Sequence, residues 1–143
     1  MSSRRVSRAA ANPRTYEVSP EVRLRQQMRE YLAPRFEGLQ HEIFVCVFLD
    51  AKRNVLGCET LSEGDATNAQ VSIREVAKRA LALDSRALVV AHNHPSGCAM
   101  PSLADELITG RLKHALIGLD VQVLEHLIFA GPRCYSFAEA GVL

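Results

Sequence analysis

From Ile43 to Leu49 the chain is apolar without a break, IFVCVFL, and rich in β-branched and aromatic residues. A run this short and this continuous predicts a strand buried on both faces. After a turn over Asp50–Asn54, VLGCETL predicts its hairpin partner. ALVVAH predicts another buried strand, VQVLEHLIFAG a longer one, and CYSF a short last one past the turn at Gly131 and Pro132.

Between these runs the period lengthens to that of a helix. Pro20–Tyr31 predicts a helix with Val22, Leu24, Met28 and Leu32 as its apolar residues. Pro20 suits a first turn after Ser19, and Pro34 is expected to stop the helix. Glu63–Asn68 reads as a loop. Ser72 and Glu75 have capping-box spacing. The helix behind them should bury Ile73, Val76, Ala77, Ala80 and Leu81, turn Arg74, Lys78 and Arg79 outward, and end at Asp84 and Ser85. A last long helix has an expected core face of Ala104, Leu107, Ile108, Leu112, Ala115 and Leu116, with Gly118 as its stop. Helices interleaved with about five strands predict an α/β sandwich, a mixed sheet with helices on both faces.

Composition narrows the class. The chain has 143 residues, 48% hydrophobic and 23% charged, which suits one globular domain with a sizeable core. A net charge of +1 gives no global basic field to demand nucleic acid. The first fifteen residues hold four arginines and no acid. They read as a flexible basic tail over 1–18, able at most to touch phosphate weakly, ahead of a single domain over 19–143. No run has membrane-spanning length, so no membrane partner is expected. Cys46, Cys58, Cys98 and Cys134 form no CxxC pair, and Cys46 reads as a small buried hydrophobe. A reducing cytoplasm fits this cysteine usage.

The candidate chemistry lies in AHNHPSGCAMPSLAD, Ala91–Asp105. His92 ends a predicted strand, and Pro95 biases His94 toward extended geometry. Residues two apart on a strand share a side, so both imidazoles project together. Seven residues later Ser102 is placed to cap the next helix, and Asp105 falls in its first turn. Two histidines and one carboxylate make a zinc-type donor set with a fourth place left for water, a catalytic rather than a structural layout. Such a site needs a group to take the proton from water. Glu42, which opens the first buried strand, is the candidate base, and it reads equally well as a solvated charge at a strand end.

These residues resemble the JAMM (MPN+, JAB) metalloprotease motif: an upstream glutamate, His-x-His, seven residues, Ser, two residues, Asp. More narrowly, HEIFVCVFLD, REVAKRALAL, AHNHPSG, PSLAD and SFAEAGVL resemble the RadC branch, from about Pro20 to the C-terminus. The resemblance implies a three-layer α-β-α sandwich related to cytidine deaminases. It implies Zn2+ held by His92, His94 and Asp105, Glu42 as general base, Ser102 as a stabiliser of the oxyanion, and hydrolysis of a peptide or isopeptide bond in a protein substrate. Members usually carry a helix-hairpin-helix-like region upstream, where this chain has its short basic tail. The Glu125–His126 pair, where the branch often has Asp before the histidine, receives no catalytic role.

Other readings compete. A zinc nucleobase deaminase needs His-x-Glu and a later Pro-Cys-x-x-Cys, and this chain has neither. The thermolysin-type HExxH is absent, and the letters His-Asn-His here are not the spread-out ligand set of an HNH nuclease. The alternative of another class is a non-catalytic MPN-type scaffold, or an accessory protein in DNA repair or recombination.

Overall fold

Side-chain alternation along two neighbouring strands divides the core in two. The computed structural model describes residues 17–63 and 71–143. Most of the expected basic tail, and all but the first residue of the expected loop after Leu61 and Ser62, fall outside these residues. The elements are α1 (Pro20–Phe36), β1 (Ile43–Leu49), β2 (Val55–Glu63), α2 (Ile73–Ala82), β3 (Ala87–Asn93), α3 (Leu103–Ile117), β4 (Gln122–Ala130) and β5 (Arg133–Ser136).

Every residue of β1 and of β3 is buried, as their unbroken apolar sequence requires. The five-stranded sheet runs β2-β1-β3-β4-β5. β3 and β4 pair in parallel, with α3 as the crossover between them, and the other pairs are antiparallel. One face of the sheet, with Val45, Val47, Val89 and Leu127, packs on Met28, Leu32 and Phe36 of α1. The other, with Cys46, Phe48, Leu88 and Val90, packs on Val76 and Ala80 of α2 and Leu112 and Leu116 of α3. The fold is the expected α/β sandwich of three layers. No helix among the described residues is long and apolar enough to cross a membrane.

Three local expectations need correction. Pro34 does not stop α1, which continues to Phe36. Phe36 is buried, and its ring stacks on Phe129 at 4.9 Å. Burying that ring contributes roughly 1.5–3 kcal/mol, comparable to the ~3 kcal/mol that an internal proline costs. Leu81 is exposed, because the stripe Val76–Ala80–Leu83 packs inward and leaves it on the far side. On α3, Ala104 and Leu107 are exposed while Thr109 is buried. Leucines occur around this helix, so periodicity alone leaves its phase open. The adopted phase sets Thr109, Leu112 and Leu116 inward, with Asp105 one turn before them.

The C-terminal half is fastened by a buried carboxylate. Glu125 accepts from the Ser136 hydroxyl at 2.6 Å and from the backbone N–H groups of His126 at 2.9 Å and Ala138 at 3.0 Å. Arg25 of α1 lies 3.5 Å from it. Glu125 thus ties β4 to the C-terminal segment. Glu125→Ala orphans these donors and should cost about 3–5 kcal/mol. Glu125→Gln, which keeps an accepting oxygen, should cost clearly less. Urea denaturation of the two variants beside wild type measures the difference, and equal losses would contradict the network.

Candidate metal centre

The site forms where β3 runs out. His92 is the sixth residue of β3, and His94 follows it as the first residue past the strand. The backbone stays on the ladder there, because the His94 N–H donates to the Phe129 carbonyl at 2.9 Å. The extended geometry expected ahead of Pro95 is therefore kept through both histidines. Their rings lie at 4.9 Å, with Nε2 atoms 3.1 Å apart.

The loop then turns sharply. The Gly97 N–H bonds the His94 carbonyl, and Gly97 sits at φ +90°, a conformation that favours glycine. The turn brings the Cys98 carbonyl back to 2.8 Å from His94 Nδ1. A carbonyl only accepts, so Nδ1 carries the hydrogen and Nε2 faces inward.

Ser102 caps α3 as expected. Its hydroxyl accepts from the Asp105 N–H at 3.0 Å, and its own N–H donates to Asp105 Oδ2 at 2.8 Å. This reciprocal cap turns the Asp105 carboxylate over the helix start, toward the histidines. Oδ1 lies 3.2 Å from His92 Nε2, and Oδ2 lies 3.1 Å from His94 Nε2. His92, His94 and Asp105 thus offer ligand atoms that all lie within 4.8 Å of one another, a group that could hold a metal ion. Two imidazole nitrogens and a carboxylate are a suitable donor set for a borderline divalent ion.

Glu42 enters by strand register. Phe44 pairs with His92 in the antiparallel β1–β3 ladder. Two residues before Phe44, Glu42 lies near enough to His94 for its charge to act on that ring. Asn93, buried between the histidines, accepts from the Ile43 N–H at 2.9 Å and donates to the His41 carbonyl at 3.0 Å. It therefore grips the chain on both sides of Glu42.

The electrostatics follow from these contacts. Burial pushes the Asp105 carboxyl up, but the nearness of the His92 and His94 rings, with the Ser102 N–H, outweighs it and holds the group well below the usual carboxylate range. The bond to Asp105 lifts His94 above the ordinary histidine value despite partial burial, and the charge of Glu42 adds to the rise.

Comparison with known proteins places the chain in a family. Residues 22–142 match the family described as RadC-like JAB domain. The chain belongs to that family. It is 48% identical over 118 residues to a UPF0758 protein of Leptothrix cholodnii, a match covering 82% of this chain and 53% of the relative. A UPF0758 protein of Azotobacter vinelandii is 48% identical over 124 residues, covering 87% of this chain and 55% of the relative. The chain spans about half the length of the curated relatives it matches.

Three residues of this RadC-like JAB domain reach the site without having been singled out for it. Asn93 was only the spacer of His-x-His. Thr109 was hidden in the phase of α3. His126 was set aside with Glu125, yet its Nε2 lies 2.8 Å from His92 Nδ1 and its Nδ1 lies 2.6 Å from the Thr109 hydroxyl. A histidine within a largely apolar strand sequence is the available signal. Burial, reinforced by the nearness of His92, holds it well below the ordinary histidine range, so it stays neutral.

Proton binding at the metal-free site has a defined sign. The His94 value is raised, so its contribution to stability is complete below about pH 6.5 and disappears as pH rises through the raised value. The Asp105 value is depressed, so its contribution is present above about pH 3.9 and is lost as pH falls through the depressed value. The pair therefore holds best between those ordinary values. NMR titration of metal-free protein should place His94 above about 6.5, and Asp105→Asn should bring it back down. A wild-type value at or below the ordinary one would contradict the pairing.

Proposed function

We propose that this domain is a zinc-dependent hydrolase of peptide or isopeptide bonds, with His92, His94 and Asp105 as the metal ligands. One observation carries the reading: the His92 and His94 Nε2 atoms lie 3.1 Å apart, and each faces an Asp105 oxygen, at 3.2 Å and 3.1 Å respectively. Electron-rich groups this close are stable together only around positive charge, which a proton or a metal ion can supply. The family's JAB character supports the metal. A bound ion would supply Lewis acidity, lowering the pKa of a coordinated water and polarising the scissile carbonyl.

The remaining chemistry belongs to the protein. Glu42 would take the proton from the attacking water and hand it to the departing nitrogen, the work of a general base and then acid. Its half-buried place at the head of β1 and its electrostatic reach to His94 support this role. Accepting as a helix cap does not use the Ser102 hydroxyl hydrogen, so Ser102 would donate it to the developing oxyanion. The substrate would be a protein segment that lays its backbone carbonyl in this opening.

Glu42→Gln keeps the size and a hydrogen bond but cannot accept the proton. It should leave zinc content unchanged and cut turnover by about 10²–10⁴. Asp105→Asn should weaken zinc binding itself. Elemental analysis of each purified variant, beside hydrolysis of a panel of peptides and isopeptide-linked pairs, separates the two effects. Full turnover in Glu42→Gln would assign the base elsewhere. A metal-loaded wild type inert across the whole panel would favour the scaffold reading.

Cys98 is exposed, and it is its carbonyl that meets His94. Among the described residues, the group able to hold an ion is His92, His94 and Asp105, without the thiol. X-ray absorption of zinc-loaded protein should therefore show only nitrogen and oxygen neighbours. A sulfur shell near ~2.3 Å would make Cys98 a ligand and close the site.

A further inference from the structure

A chain of hydrogen bonds runs from α3 through β4 to His92, and its direction can be read from its far end. The Thr109 hydroxyl lies 2.8 Å from the Asp105 backbone carbonyl and 2.6 Å from His126 Nδ1. The carbonyl can only accept, so the single hydroxyl hydrogen goes to it. His126 Nδ1 must then donate to the Thr109 oxygen. A neutral imidazole with hydrogen on Nδ1 has a lone pair on Nε2. That atom lies 2.8 Å from His92 Nδ1, so His92 Nδ1 donates to it. His92 is left with its other nitrogen, Nε2, turned toward Asp105 and His94.

The opposite direction does not satisfy the same contacts. If His126 donated from Nε2, the Thr109 hydrogen would have to serve Nδ1 and the carbonyl together. The packing also fixes the ring planes. His126 stacks on Phe137 at 4.4 Å with an interplanar angle of 10°, and Phe44 meets it edge-on at 5.8 Å. His126 and Thr109 are both buried, so water does not compete for these bonds.

We propose that His126, set by Thr109, is a positioning residue that holds His92 with its hydrogen on Nδ1 and its Nε2 lone pair turned to the metal site. Metal-bound histidines generally give their second N–H to a protein acceptor that fixes ring and tautomer. His94 uses the Cys98 carbonyl, and His92 uses another histidine. The relay begins at the backbone carbonyl of Asp105, itself one of the three converging residues. The same helix turn therefore presents a carboxylate to the site and sets the tautomer of a partner ligand. This inference rests on the metal-site reading above, and its test separates the two.

The experiment uses 15N-histidine-labelled protein, metal-free and zinc-loaded, with Thr109→Val, His126→Gln and His126→Phe beside wild type. Long-range 1H–15N spectra should show His126 as the Nδ1–H tautomer with an unprotonated Nε2, and His92 protonated on Nδ1. Zinc affinity, measured by competition with a chromophoric chelator, should fall about 10–100-fold in His126→Phe. His126→Gln can still accept from His92 and donate to Thr109, so it should recover most of the affinity. Thr109→Val nearly preserves shape, and it should loosen the tautomer and weaken zinc even if His126→Phe fails to fold. A His126 ring protonated on Nε2 overturns the relay, whatever the metal does. So does a Thr109→Val protein with wild-type zinc affinity. A wild type with the expected tautomers and no zinc binding supports the relay while overturning the metal reading.

Discussion

The register of β1 against β3 sets the geometry on which the site depends. Phe44 stands across from His92, and Glu42, two residues earlier, lies near enough to His94 for its charge to be felt there. A slip of one residue would turn every β1 side chain to the other face. That would move Phe44 and Cys46 into the α1 layer and take Glu42 away from the histidines. The slip is opposed from both sides, because both strands are buried on both faces. Asn93 adds a specific lock by bonding the backbone on either side of Glu42. The core and the polar cluster therefore enforce one alignment.

Around that alignment the protein maintains an unusual electrostatic demand. Asp105 is held ionised and His94 is disposed toward positive charge, while the neighbouring His126 is kept neutral by burial. Phe44 and Phe137 supply dry, rigid walls. A half-buried carboxylate facing two imidazoles is costly unless something cationic completes it. The low-polarity surroundings make that completion more favourable, because they strengthen each contact with the incoming charge.

Much of this was legible before any coordinates. The apolar runs of β1 and β3 named the sheet centre, and period-two geometry put His92 and His94 on one side. Ser102 and Asp105 announced a helix start at the spacing a cap requires. What stayed hidden depended on contacts distant in sequence. His126 lies 34 residues from His92. Its place beside that ring depends on an irregularity in the β3–β4 pairing at Leu88 and Val89, where an extra β4 residue shifts the alternation. Such a bulge leaves no period to read. The phase of α3 was legible in part: Ile108, Leu112, Ala115 and Leu116 turn inward as expected, and Ala104 and Leu107 do not. Leu103 and Leu107 are as apolar as Leu112 and Leu116, so hydrophobicity alone does not exclude them from the inward stripe. Pro34 misled because a local rule was overruled by the docking of Phe36.

Asp105 closes the capping box of α3 with the same carboxylate that faces the histidines. Oδ2 receives the Ser102 N–H and also looks toward His94. Order at the first turn of the helix and order in the pocket are therefore one thermodynamic quantity. Fraying of that turn swings a donor out of the pocket, and an ion in the pocket pins the turn. A change that loosens the start of α3 without touching any of the three converging side chains is thus a way of emptying the site.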